Sequence, residues 1–264
     1  GPTRTLRELG AVLENPDFLV LFIGLLIFAG VGGTSGALAL YLQTYFWGLT
    51  SEDLKWFGFL ALGAVAAFLV LGRIERRLDK KTIMLVSFGL LLVDGFTLIG
   101  LRLLGLLPAN GDPALLVILV GNGVWTTFIG TILGITVVSM LADTLDSQEL
   151  RTGLRQEGIF AAALAFSGKA THGVGAVIGG LLLQKVIGWP THADPRTVDP
   201  ALVTRLGVVA GVVVPLFFLA PLAIGTRYRI TRDAFRTIRA ELDRRREAQA
   251  AVMEARMSAT PPIA

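Results

Sequence analysis

The sequence predicts an all-α integral membrane protein in which six apolar helices cross a bilayer as one bundle. Three observations carry this. Apolar residues make up 53% of the 264-residue chain against 17% charged, with a mean hydropathy of +0.67, a balance foreign to soluble globular domains. Six runs are long enough to cross ~30 Å of hydrocarbon as helices of about 20 residues. Basic residues gather in alternate connections and in the tail, the distribution that sets topology.

The first helix spans about Phe18 to Phe46 and follows Asn15-Pro16-Asp17, where the proline stops any preceding helix and Asp17 suits a helix N-terminus. The second covers about Lys55 to Leu71, and the third runs from Ile83 to Leu107, ahead of Pro108. The fourth extends from Pro113 to Leu141, followed by a charged loop from Ala142 to Glu157. The fifth spans about Gly158 to Gly188, and the sixth Leu206 to Ile224, with Pro215 and Pro221 as expected kinks. The organisation is thus an entry segment (1–17), a transmembrane bundle (18–225) and a basic tail (226–264).

Orientation follows from charge. With the N-terminus inside, the inner segments collect Arg4, Arg7, Arg73, Arg76, Arg77, Lys80, Lys81, Arg151, Arg155 and the tail arginines. Lys55, Arg102, Lys185, Arg196 and Arg205 fall outside. Both termini are therefore expected to be cytoplasmic in a multi-pass protein of the plasma membrane, the inner membrane if bacterial. The net charge of +4 reflects this topology, so no nucleic-acid partner is expected. The tail reads as a solvated, partly frayed helix or as an anionic-lipid contact. No cleavable signal peptide is visible, and the Gly1-Pro2 start without methionine fits a processed end, an expression scar or the second part of something longer.

Within the apolar runs, rare polar residues point to function. Lys169 lies about 18 Å along the fifth helix from Glu157, near the bilayer centre. A charge there costs ~2.5–3.5 kcal/mol on insertion scales, so it faces protein or a water-filled cavity. It reads as a transport-pathway residue, with a structural ion pair or an interfacial snorkel as the other reading. His172 shares its face, lining the path or packing through a hydrogen bond. Asp94, deep in the third helix, either neutralises Lys169, carries a coupling ion, or is protonated or structurally paired. Asn122, Trp125, Thr126 and Thr127 form a polar patch on the fourth helix. Tyr41, Gln43, Thr44 and Tyr45 form another near the outer end of the first; both patches also suit hydrogen bonds between helices. The fifth helix's glycines (Gly168, Gly173, Gly175, Gly179, Gly180), with Gly207 and Gly211 in the sixth, read as packing or sliding surfaces.

Other chemistry finds no support. Gly168-Lys169-Ala170-Thr171 lacks the leading glycine and strand of a phosphate loop. Ser167 and His172 lie roughly 140° apart around a helix, with no nucleophile elbow. There is no cysteine, and two histidines alone cannot build a metal site, so neither an enzyme nor a bound cofactor is expected.

The run Ala142-Asp143-Thr144-Leu145-Asp146, then Arg151-Thr152-Gly153 and Arg155-Gln156-Glu157-Gly158, with Lys169 beyond, resembles a loop in a known family. It is similar to the connection between helices ten and eleven of the glycoside-pentoside-hexuronide:cation symporters, the melibiose-permease-like branch of the major facilitator superfamily. Glu14-Asn15-Pro16-Asp17-Phe18 is similar to that family's opening of helix seven, and Gly72 to Lys81 occupies the place of a corresponding basic loop. The resemblance covers about Asn15 to Arg229. It implies the second six-helix half of a cation-coupled solute symporter working by alternating access on a sugar-like substrate, with Na⁺ or H⁺ as coupling ion. Asp143, Asp146, Arg151, Arg155 and Glu157 would then form a cytoplasmic gate, and Lys169, His172, Trp125, Asn122, Tyr41 and Gln43 the substrate pathway. The partners implied are the lipid bilayer, a small-molecule solute, and an N-terminal six-helix half or a second copy. Two departures stand out: Gly134 occupies the place of a helix-ten tryptophan, and Asp94 sits on a helix normally peripheral. A non-transporting scaffold or relic half-transporter, or a homodimer of halves, is the alternative.

Overall fold

A computed structural model describes residues 15–153, 157–190 and 198–259, except for the side chains of 163, 170–172 and 253–259. Six helices are long and apolar enough to cross a membrane. They are α1 (Pro16–Phe46), α2 (Ser51–Arg77), α3 (Lys80–Leu103), α4 (Pro113–Thr152), α5 (Glu157–Ile187) and α6 (Pro200–Gly225). A seventh, polar helix, α7 (Arg232–Ala259), follows, and no strand occurs among the described residues.

Local chemistry sets the starts. Asn15 caps α1, its Oδ1 accepting from the N–H groups of Asp17 at 3.0 Å and Phe18 at 3.3 Å. Asp112 and Asp199 cap α4 and α6 in the same way, each followed by a proline that fits the first turn. Thr50 and Asp53 form a reciprocal capping box that starts α2 four residues before the expected Lys55.

Four helices change winding: α2 runs as a 3₁₀ helix over Lys55–Leu60, and three others carry π-turns. α1 ends in a π-turn over Leu42–Phe46, α5 in another over Leu182–Ile187, and α6 carries a third over Val209–Val213. The last lies just before Pro215, which has no N–H to offer the preceding turn, and α6 loosens again at Phe217 ahead of Pro221. Backbones approach closely where glycines face each other or a bulky neighbour. A side chain on Gly175 of α5 would overlap the Gly33 backbone of α1, and one on Gly211 would overlap Ile99 of α3. Gly168, Gly173 and Gly180 meet nothing.

The largest correction concerns the fourth helix. It was expected to stop at Leu141, yet α4 stays helical to Thr152 and closes on Gly153, whose φ of 70° is left-handed. Its 40 residues make a rod of about 60 Å at ~1.5 Å per residue, twice the hydrocarbon thickness. The fall in hydropathy after Leu141 marks where the helix leaves the apolar layer, while the helical conformation continues. The second helix likewise runs on to Arg77 instead of ending at Leu71. The tail is docked in its first part, where α7 packs against the last turns of α4 and buries Leu242 to 4% exposure, and solvated beyond it, positions 243–252 being exposed.

The main core joins α1, α3, α4, α5 and α6 through Phe18, Phe88, Leu133, Phe160, Leu206 and Phe218. α2 is attached to α3 and α4 by a smaller cluster of Ala67, Leu71, Ile83 and Ile132.

Candidate functional site

Polar side chains concentrate in three places. The first is the end of the bundle where α1 begins and α6 finishes. Asp143, buried on α4, receives Lys80 Nζ from the first turn of α3 on both carboxylate oxygens, at 2.9 and 2.7 Å. Next along α4, Asp146 pairs with Arg239 of α7 at 3.6 Å. Glu149 takes Arg246 on both oxygens at 3.2 Å. Phe235 of α7 lies under two of these cations, 5.2 Å from Lys80 and 5.6 Å from Arg239, within cation–π range. Arg232 draws α7 onto the turn between α2 and α3. It donates to the carbonyls of Glu75 and of Leu78, the latter at 2.8 Å, and reaches Asp79 at 3.4 Å. These are the free carbonyls of a helix end, where a cation is favoured.

The chain ends are tied to the same layer. Asn15 Nδ2 donates to Gln148 Oε1 of α4 at 3.1 Å, with both residues buried. Lys81 donates to the carbonyls of Thr226 and Tyr228 at 2.6 and 2.8 Å, and the Arg229 amide to Asp17 at 2.7 Å. Tyr228 is 2% exposed. Burial pushes its phenol well above the ordinary range, and the Asp143 and Asp17 carboxylates push the same way.

The second place lies between the helices, in two adjoining half-open cavities of about 390 and 330 Å³ where Asp94 is half-buried. They share Ser35, Trp47, Asn122 and Thr126, and Asp94 opens into the larger and Gln43 into the smaller. Asp94 Oδ2 accepts from Thr126 Oγ1 at 2.8 Å and from Asn122 Nδ2 at 3.4 Å. Of the readings open for Asp94, a pair with Lys169 is not formed: neither residue has an ion-pair partner among the described residues.

The third place is the free side of α5. Lys169 is exposed, on the opposite side of the helix from Phe160 and Ser167, which face the core. Positions four, seven and eleven residues away put Gly158, Ala162, Ala165, Gly173 and Ala176 on its face, all exposed and all small, while Phe166, three residues before it, flanks that strip. The large exposed side chains of α5, Phe166, Val174, Val177 and Leu181, lie to one side.

The residues expected to share one pathway are thus divided. Asn122 lines both half-open cavities, Asp94 the larger and Gln43 the smaller. Lys169 stands alone on the outer face of α5. Trp125, 45% exposed, stacks on Phe128 and lines neither cavity. Tyr41 packs edge-on against Trp189, with Tyr45, at the far end. The gate residues Asp143 and Asp146 lie in one ionic layer, Arg151 is exposed at the end of α4, and Glu157 starts α5. Arg155 lies outside the described residues, as does the side chain of His172. Sequence reasoning missed Lys80, Arg239, Arg246 and Phe235 as members of this layer. The signal available was an arginine-rich tail of helical composition opposite acidic residues three apart on α4.

Comparison with known proteins adds a consistent picture. The family model described as "MFS/sugar transport protein" matches residues 1–232. The "Uncharacterized symporter YnaJ" of Bacillus subtilis is 28% identical over 236 residues, which are 88% of this chain and 47% of that protein. The "Isoprimeverose transporter" of Lactiplantibacillus pentosus is 29% identical over 183 residues, 67% of this chain and 35% of that protein. The chain spans less than half the length of either relative. Both are named as carriers and neither as an enzyme.

Proposed function

This chain belongs to the MFS/sugar transport protein family, and on that premise we propose that it forms the C-terminal six-helix bundle of a cation-coupled, sugar-like solute symporter. Transport proceeds by alternating access, and the bundle is completed by a second six-helix unit, an N-terminal half or another copy. The basic end of the bundle faces the cytoplasm, as the positive-inside rule requires.

The observation that carries the proposal is the surroundings of Lys169. An ammonium group some 18 Å into a spanning helix is tolerated only beside protein or water. The strip of α5 on either side of it along the axis is made of Gly158, Ala162, Ala165, Gly173 and Ala176, flanked by Phe166, and these small residues leave open space for a partner helix to approach. A partner bundle set against this face encloses a polar passage with Lys169 in its wall, the place where such transporters bind substrate. A hydroxylated solute or the carboxylate of an acidic sugar is a fitting ligand for an ammonium donor.

The ionic layer suits the inner closure. Charge-assisted bonds between Asp143 and Lys80, Asp146 and Arg239, and Glu149 and Arg246 can hold helix ends in one state and exchange partners in another. Asp143, Asp146, Arg151, Arg155 and Glu157 act there, with α7 as a brace.

The test is cation-driven uptake by the complete transporter carrying this bundle. Lys169→Ala is expected to slow uptake at least tenfold, or ~1.4 kcal/mol of lost transition-state stabilisation, at unchanged expression. A wild-type rate in that variant removes Lys169 from the pathway. Absence of any cation-dependent uptake by the unaltered transporter rejects the symport reading itself.

A further inference from the structure

Asp94 is a lone carboxyl among neutral neighbours. Phe28 and Ser35 of α1 and Trp47 just after it face its cavity, with Asn122 and Thr126 of α4 and Gly211 of α6, and no other side chain lining either cavity is titratable. Left ionised and unpaired at this depth, a carboxylate carries the ~2.5–3.5 kcal/mol cost of an intramembrane charge. Two hydrogen bonds from neutral donors, one of them long at 3.4 Å, offset that only in part.

The group that neutralises it must fit the space. A metal cation demands several oxygen ligands at once, while this wall offers one carboxyl, the Ser35 and Thr126 hydroxyls and the Asn122 amide in a mostly apolar lining. A proton needs a single oxygen. Asn122 Nδ2 and Thr126 Oγ1 both lie at Oδ2, the Thr126 hydroxyl dividing its one proton between Oδ2 and the Asn122 carbonyl at 2.9 Å, which leaves Oδ1 the open oxygen to carry it.

The cavity is also walled by segments whose winding is irregular. Ala210 and Gly211 belong to the π-turn of α6 before Pro215, and Leu42 and Gln43 to the π-turn that ends α1. Such turns recur at functional sites because they can rewind. Gly95, next to Asp94, packs directly on Pro215, so a change in α6 is felt at the carboxyl.

We propose that Asp94 is a proton-binding site within this bundle, distinct from the Lys169 face, loaded and emptied through the cavity as its π-wound walls open and close. The proton arrives from water on Oδ1, and the same proton returns to water, with the Thr126 and Asn122 bonds kept on Oδ2 throughout. The inference rests on the transport reading for its purpose, though not for its test.

The full 264-residue chain in lipid bilayers is examined by infrared difference spectroscopy between mildly acidic and alkaline buffer. A carboxylic-acid carbonyl band is expected that vanishes on alkalinisation, returns on acidification, and is missing in Asp94→Asn. Thr126→Val, which keeps the carboxyl and removes its 2.8 Å donor, is expected to shift the band. Should Asp94→Asn fail to assemble, the Thr126→Val spectrum decides alone, and an unshifted band overturns the proposal. It is equally overturned by a band common to wild type and Asp94→Asn, by one that persists at alkaline pH, or by one that sodium removes at constant pH. None of these readouts involves uptake, so a negative result here leaves the symport reading standing, and failed uptake leaves this site standing.

Discussion

Lys80 and Asp143 stand 63 positions apart in sequence and form the most buried ion pair of the basic end, with side chains 30% and 8% exposed. A buried charge stripped of its partner is penalised far more than a pair replaced together by neutral groups of similar size. Lys80→Ala is therefore expected to lower stability by about 3 kcal/mol, discounted somewhat for the partly exposed ammonium. Lys80→Met with Asp143→Asn should recover most of that loss, and thermal unfolding in detergent checks both. Equal losses in the single and double variants would mean that the pair contributes nothing through its charges. The acidic member was legible in the sequence, as one of several charges at a helix end. Its partner was not, because a lysine after an apolar helix looks the same whether it meets lipid phosphate or a carboxylate from another helix. Lys169 shows the reverse case: its depth could be counted from Glu157, while the small-residue face around it emerged only once the core side of α5 was known.

At the scale of the helix, capping was legible at α1 and missed at α2 and α6, which the Thr50–Asp53 box and Asp199 start earlier than the expected Lys55 and Leu206. Asn15-Pro16-Asp17 announces a helix start through a side-chain acceptor and a preset φ, and α1 begins there. Only the π-turn of α6 leaves a mark, in Pro215; those ending α1 and α5 have no proline within the helix near them, and the packing around such turns, as of Gly211 on Ile99 of α3, is set by tertiary contact. The end of α4 was misplaced for a related reason. Hydropathy reports the solvent around a helix, and the carboxylates beyond Leu141 keep it wound because Lys80, Arg239 and Arg246 neutralise them. Among the glycines of α5, only the contacts separate those that matter. Gly175 meets the α1 backbone and Gly173 meets open space. Gly175→Leu should push α1 and α5 apart and cost at least the ~1–3 kcal/mol of an overpacked core. Gly173→Ala in the same helix should be neutral or stabilise by up to about 1 kcal/mol through lower chain entropy. Thermal unfolding of the two variants side by side decides, and similar midpoints would mean that the α1–α5 contact is looser than these distances require.

For the whole molecule, the question is what holds six spans in register at one end when each is independently stable in the bilayer. The ionic layer does so through bonds that cross between elements: α1 to α4 through Asn15 and Gln148, α3 to α4 through Lys80, and α7 to α4 and to the α2–α3 turn through its arginines. Most α7 pairs are partly exposed, with Arg239 at 66% and Arg246 at 50%, so each contributes only ~0.2–1 kcal/mol and is screened by salt. Leu242 adds apolar contact that salt does not weaken. Ending the chain at Thr231 should therefore destabilise the bundle by roughly 1–3 kcal/mol at low ionic strength. The electrostatic part should fade when salt shortens the Debye length to about 3 Å near 1 M, leaving a smaller, salt-independent remainder. Unfolding of the full and shortened chains across a salt series measures both parts. A difference that does not shrink with salt would assign the docking of α7 to its apolar side chains alone. It would also remove the charge pairs as the element that an alternating-access cycle could make and break at this end.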